Sequence, residues 1–170
     1  MKNRRLQSGM TFLELMVAIS VLIVGISGTV GLIHRTISSA TMAANQLKAS
    51  YLAQEGIEVV RNIRDSSWIR DKDWLENIDS NCSCCEVAYN HDGTKAMTTC
   101  QGGNPKNLKY FQGFYGYSSN PTAEESSFSR KITTSLHDGG EYLRVEATVY
   151  WDERGSTRSV SVVENLRDWR

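Results

Sequence analysis

The feature that most restricts how this chain can fold is an apolar run, Met10–Ile33 (MTFLELMVAISVLIVGISGTVGLI), in which Glu14 is the one charged residue. As a helix rising 1.5 Å per residue it extends roughly 36 Å, enough for the ~30 Å hydrocarbon layer of a bilayer. The polar segment in front, Met1–Gly9, carries Lys2, Arg4 and Arg5 and no acid. By the positive-inside rule these cations hold the N-terminus in the cytoplasm and place everything after His34-Arg35 outside. No second run of comparable length exists, so the chain is expected to cross once. Its mean hydropathy of -0.38 excludes a polytopic membrane protein.

A secretory signal peptide needs a shorter apolar core and a small-x-small exit. Ser27-Gly28-Thr29 is the nearest imitation here. A plain single-pass anchor is the other simple reading. Glu14 argues against both, because a carboxylate inside a spanning helix costs about 2.5–3.5 kcal/mol. No cation within the same helix can pair with it. Cleavage after Gly9 would instead create an α-amino group on Met10, and a neighbouring subunit's amine could meet Glu14. Helices would then stack with a fixed axial stagger, and the burial cost is offset only when both partners are present.

These residues, Ser8-Gly9-Met10-Thr11-Phe12-Leu13-Glu14 after a basic leader and before an apolar helix, resemble the class III signal of type IV prepilins. The resemblance implies a leader, residues 1–9, removed after Gly9 by a membrane prepilin peptidase that also methylates the new amino group of Met10. It further implies that Thr11, Phe12 and Glu14 are assembly residues, with Glu14 meeting the neighbour's terminus. One departure is that many pilins carry a proline midway along this helix. Here Gly25, Gly28 and Gly31 occupy that region. Each costs about 0.8–1.0 kcal/mol relative to Ala in a helix, which would permit local unwinding. The alternative is close approach of neighbouring helices through small residues.

Residues 10–33 form the membrane and assembly half of the expected helix, and residues 34–64 an amphipathic continuation. Ile37, Ala40, Ala44, Leu47 and Tyr51 recur at steps of three and four, followed by a shifted stripe through Ala53, Ile57, Val60 and Ile63. Arg61 and Arg64 fall on other faces. The helix is expected to end near Arg64 and to need a sheet or a partner to cover its outer half. The segment Leu52–Glu58 with Val60-Arg61-Asn62 also resembles minor pilins and pseudopilins, more softly than the leader does.

Residues 65–106 show little periodicity and are expected to be irregular, with Trp68, Ile69, Trp74, Leu75 and Ile78 as an apolar clip over the helix end. Cys82, Cys84, Cys85 and Cys100 all lie beyond the membrane on the expected outer side, where an even count reads as disulfides. A vicinal Cys84–Cys85 bridge is disfavoured by its geometry. Cys100 therefore pairs with Cys84 or Cys85, and Cys82 with the one left over. Zinc held by Cys82, Cys84, Cys85, His91 and Cys100 is the competing reading, but it lacks paired C-x₂-C spacing and needs reduced thiols outside the cell. Asn81-Cys82-Ser83 matches the N-x-S glycosylation pattern, a weakly specific signal that chance alone can supply.

From Leu108 the period becomes two. Phe128, Arg130, Ile132, Thr134 and Leu136 share one face of a strand, as do Leu143, Val145, Ala147, Val149 and Trp151 of the next, and Val160 and Val162 of a third. Asp138-Gly139-Gly140 and Asp152–Gly155 separate them as tight turns. The expected fold is α+β: a long N-terminal helix, membrane-spanning in its first half, packed on an antiparallel sheet over residues 107–170. The pilin architecture implied by the resemblance is the same.

Catalytic patterns are missing from the sequence. His34, His91 and His137 are scattered, and Asp152-Glu153 falls in a hairpin tip. No enzyme activity, cofactor, metal site or small-molecule substrate is expected. Lys and Arg total 19 against 19 Asp and Glu, so a nucleic-acid partner, which would be recognised by a cationic excess, is not expected either. Tyr110, Phe111, Phe114, Tyr115 and Tyr117 cluster in a Gly-containing stretch; they either cap a sheet edge or offer an exposed surface that stacks on sugars or bases. The function expected is that of a structural subunit, a minor pilin in a cell-surface or periplasmic filament held in the membrane before assembly. Its partners are the membrane, other pilin subunits, the prepilin peptidase and an assembly platform. A type II secretion pseudopilin, a competence-pilus subunit and a filament-borne adhesin or DNA-binding subunit are the alternatives.

Overall fold

A computed structural model describes residues 11–88 and 97–168. Those up to Ala43 form one compact unit and those from Ala44 onward a second. The architecture is α+β, with one α-helix among the described residues, α1 (Phe12–Ile69), and an antiparallel sheet against which its later turns pack. The strands are β1 (Cys85–Val87), β2 (Met97–Thr99), β3 (Asn107–Phe111), β4 (Phe114–Gly116), β5 (Glu124–His137), β6 (Tyr142–Glu153) and β7 (Ser156–Arg167).

β5 is the hub of the sheet. Along one edge it pairs with β6, from Phe128↔Trp151 to His137↔Tyr142. Its other edge is shared, because Ser129 and Glu125 face β3 while Ile132 faces Cys85 of β1. β7 extends the sheet beyond β6 in unbroken register, from Tyr142↔Arg167 to Glu153↔Ser156. The two-residue turn between β6 and β7 holds Arg154 and Gly155 at φ 53° and 76°, the left-handed pair whose twist suits a hairpin. Alternation on β5 and β6 is as the period of two predicts, with one exception: Leu136 is 40% exposed at the end of its strand. Within the segment expected to be irregular, residues 65–106, the short strands β1 and β2 join the sheet.

The helix departs from its expected pattern in three ways. Its buried stripe is Ala49, Leu52, Ala53, Gly56, Ile57, Val60 and Arg64, the i, i+3, i+4, i+7 spacing of a single face. Leu47 and Tyr51, in the first expected stripe, are 56% and 62% exposed. The expected second stripe thus supplies Ala53, Ile57 and Val60 to the buried face, whereas the first expected stripe stays exposed and the small Ala49 and Gly56 join Leu52 on the buried face instead. Secondly, α1 runs beyond Arg64 to Ile69. It ends in a Schellman arrangement, in which Lys72 N–H reaches Ser67 C=O at 3.0 Å and Asp71 N–H reaches Trp68 C=O at 3.0 Å. The left-handed residue there is Asp71, φ 63°, where a glycine is usual. Thirdly, Arg64 is buried, its guanidinium 4.4 Å from the Trp68 ring. It donates to Asp65 Oδ1 at 2.9 Å. Arg61 faces β7 and pairs with Glu164 as well as with Glu58. Trp68, Trp74 and Ile78 close the core at this end, while Ile69 is 84% exposed.

Two polar residues on the inner face of β5 do more than fill space. Thr134 takes the Cys82 N–H at 2.9 Å and donates to the Asp79 carbonyl. The fully buried Arg130 donates from Nη1 to the Leu52 carbonyl at 2.9 Å and to Glu55 Oε1 at 3.2 Å. Its Nη2 donates to the Val87 carbonyl at 2.7 Å. One side chain thus ties the helix, β1 and β5 together. Gly56 makes this possible, since a Cβ there would lie 2.9 Å from Arg130 Cδ and 3.0 Å from Ile132 Cδ1.

Ala at position 56 would improve helix propensity by about 0.8–1.0 kcal/mol. Overpacking against a guanidinium held by its hydrogen bonds costs ~1–3 kcal/mol. We therefore expect Gly56→Ala to lower stability by about 1 kcal/mol in urea unfolding of the full chain in detergent micelles. In an Arg130→Met background the glycine change should cost less. An equal penalty in both backgrounds would show that Gly56 does not serve Arg130.

Candidate functional site

Phe12–Ile33 is helical without interruption, and each residue from Thr11 to Ile37 is exposed. Phe12, Leu13 and Val24 leave 77%, 74% and 74% of their surfaces uncovered. By length and composition this helix is able to cross a membrane. Its hydroxyls suit it to that, because each returns a hydrogen bond to its own helix: Ser20 to the Met16 carbonyl at 2.8 Å, Ser27 to Ile23 at 2.7 Å and Thr29 to Ile26 at 2.8 Å. The run therefore turns these donors inward, as a hydrocarbon environment demands. Around Gly25, Gly28 and Gly31 a built Cβ meets nothing within 4 Å, so these positions leave room for another helix.

Glu14 sits in the first turn of α1. Its N–H donates to Thr11 Oγ1 at 3.3 Å, and Leu15 N–H bonds the Thr11 carbonyl at 3.1 Å. Thr11 is thus the N-cap, and Thr11-x-x-Glu14 has capping-box spacing. That signal is visible in the sequence, and it gives Thr11 and Glu14 a local role: the hydroxyl takes an orphan N–H and an acid occupies the first turn, where the helix dipole favours negative charge. Phe12 follows as an exposed side chain. Gly9 and Met10 lie outside the described residues.

The aromatic cluster divides in two. β3 and β4 form a hairpin in which Tyr110 faces Tyr115 and Phe111 faces Phe114, turning through Gln112 and Gly113 at φ 49° and 91°. Tyr115 packs against the core, its ring 6.4 Å from Phe128 and 5.2 Å from Tyr110. Tyr117 also packs there and donates to the Arg130 carbonyl at 3.2 Å. Burial pushes its phenol well above the ordinary range, against the opposing pull of Arg130. Phe111 is half-buried, which leaves Phe114, 75% exposed, accessible on one face of the hairpin and Tyr110, 43% exposed, on the other.

The four cysteines form two bridges, Cys82–Cys85 and Cys84–Cys100, with Cα separations of 6.1 and 5.4 Å. The carboxylate of Asp79 lies near Cys82 and Cys85 in a cluster with metal-ligand character. The two sulfurs are bonded to each other, however, and a bridged sulfur is no thiolate ligand. His91 of the zinc alternative lies outside the described residues.

The buried phenol of Tyr117 makes stability pH-dependent on the alkaline side. A neutral phenol with a raised pKa contributes stability that is complete below about pH 10, where a free tyrosine ionises, and is lost as pH rises toward the folded-state value. Tyr117→Phe should cost about 1 kcal/mol at neutral pH through the lost hydrogen bond. It should also flatten the decline above about pH 10 in pH-dependent urea titrations; parallel wild-type and variant curves would contradict the assignment. Compared with family models, curated proteins and solved structures, the chain matches none.

Proposed function

We propose that this chain is a structural subunit, a minor pilin, of a type IV pilus-like filament. In this reading it is held in the membrane by Phe12–Ile33 before assembly and is cut between Gly9 and Met10 by a prepilin peptidase. The observation that carries the reading is a helix exposed on every side whose first turn bears a lone carboxylate, Glu14. Lipid can cover the apolar faces of such a helix. It leaves the carboxylate with a cost of about 2.5–3.5 kcal/mol, which a cationic amine from a second subunit would offset. Exchange of lipid for neighbouring helices keeps the apolar surface covered, and the small residues Gly25, Gly28 and Gly31 suit close helix approach. Ile37, Leu47 and Tyr51 extend the exposed apolar surface past the spanning segment, and exposed apolar surface of this kind marks interaction sites. A type II secretion pseudopilin would use the same chemistry.

The test begins with the mature terminus, where mass spectrometry should find N-methylated Met10. Glu14→Leu should leave cleavage intact while reducing recovery in sheared filaments at least about tenfold, the loss of ~1.4 kcal/mol of pairing. An intact leader in cells with an active peptidase, or normal incorporation of the variant, would reject the proposal.

The exposure of Phe114 beside a hairpin tip favours a second reading, in which the subunit also carries a stacking surface for sugars or bases. A stacked aromatic is worth about 1–3 kcal/mol. Phe114→Ser should then weaken binding to immobilised glycans or single-stranded DNA by about 10–100-fold while sparing assembly. Undiminished binding would discard this reading.

A further inference from the structure

Beside the disulfides lies a groove of about 200 Å³ lined by Asn81, Ser83, Thr133, Ser135, Arg144 and Glu146, with Cys82 and Thr134 completing it. We infer that Asn81 is an acceptor for N-linked glycan and that the first sugar rests in this groove. Asn81-Cys82-Ser83 meets the N-x-S requirement, with a residue other than proline between. By itself that pattern is weak; what the fold adds is that both ends of the sequon stay exposed and that a groove borders them for the attached sugar.

Cys82 is pinned to β5 from both sides of its peptide unit. Its N–H reaches Thr134 Oγ1 at 2.9 Å and its carbonyl takes the Thr134 N–H at 2.9 Å. Its side chain is buried in the bridge to Cys85. The flanking residues, Asn81 and Ser83, are both exposed. The Asn81 N–H is taken by Asp79 Oδ1 at 3.1 Å, and its side chain borders the groove.

The groove suits a sugar in size and in chemistry. It is smaller than the ~300–1,000 Å³ pockets that enclose drug-sized ligands. That leaves space for a single ring at its mouth, with the rest of a glycan in solvent. Thr133 and Glu146 face each other across β5 and β6, and so do Ser135 and Arg144. Two hydroxyls, a carboxylate and a guanidinium offer both donors and acceptors to ring hydroxyls.

The donor is a glycan carried on a lipid pyrophosphate, and the catalyst is a membrane oligosaccharyltransferase. Asn81 Nδ2 attacks the anomeric carbon, forming a carbon–nitrogen bond. The bond from that carbon to the pyrophosphate oxygen breaks, and the lipid pyrophosphate leaves with the electron pair. One amide proton passes to a base of the transferase. Because the folded backbone is held at Thr134, transfer belongs to the newly exported chain, before the Cys82–Cys85 bridge closes.

The inference rests on the proposed function only in placing residues beyond the helix outside the cytoplasm. Peptide mass spectrometry of the full chain, recovered from the membranes and filaments of the cells that make it, reads Met10 and Asn81 from one digest. The expected result is an Asn81 peptide heavier by at least one hexose or N-acetylhexosamine. Ser83→Ala should abolish that addition and Ser83→Thr should retain it. A processed Met10 with a bare Asn81 would overturn the glycan assignment and leave the filament proposal standing. A glycosylated Asn81 behind an uncut leader would do the reverse.

Discussion

The guanidinium of Arg130 is the polar link at the centre of an apolar core that the helix and the sheet share. It is fully buried, and its hydrogen bonds reach α1, β1 and a carboxylate on the helix surface. A buried charge of this kind is destabilising unless its donors are used, and here Nη1 and Nη2 are bonded while Nε is buried without a hydrogen-bond partner among the described residues. The geometry that uses them also sets how closely the helix can lie. Ala49, Ala53 and Gly56 bring α1 near the sheet, and the missing side chain of Gly56 is the space that the Arg130 stem fills. Helix position, strand register and β1 docking are therefore one coupled arrangement.

Around that link, polar contacts repeat at the far end of the helix. Arg61 meets Glu164, Arg64 stacks on Trp68, and the Trp68 indole donates to Asp168 at 3.2 Å. Together they clip the final strand to the last turns of α1. Contrast this with Thr11–Ile37, where nothing covers the apolar side chains and the hydroxyls bond their own helix. One part of the chain satisfies its groups within the fold. The other is suited to a surrounding apolar phase.

Legibility followed the physics of each element. β5, β6 and β7 could be read because a period of two assigns every side chain to a face, and the pairing has no bulge to reverse it. The membrane-compatible helix was legible because length and polarity are additive along a chain. The later part of the sheet-facing stripe of α1, Ala53, Ile57 and Val60, was legible from its spacing, whereas its start was obscured because Ala49 and Gly56 carry almost no hydrophobic signal and the exposed Leu47 and Tyr51 carry a strong one. The helix end escaped because Asp71 takes the left-handed position without a glycine to mark it. The aromatic cluster looked uniform in sequence, yet hairpin geometry leaves Phe114 in solvent and turns Tyr117 onto the Arg130 carbonyl.

Composition and local pattern thus determined an apolar helix with a carboxylate in its first turn, an antiparallel sheet, and four cysteines too close together for every pairing. These follow from spacing along the backbone, a property each segment possesses alone. Tertiary structure decided that Cys84 rather than Cys85 joins Cys100, that Arg130 spans the helix–sheet boundary, and that Asn81 and Ser83 border one groove. Each of those depends on the distance between segments remote in sequence, and no local period encodes that distance.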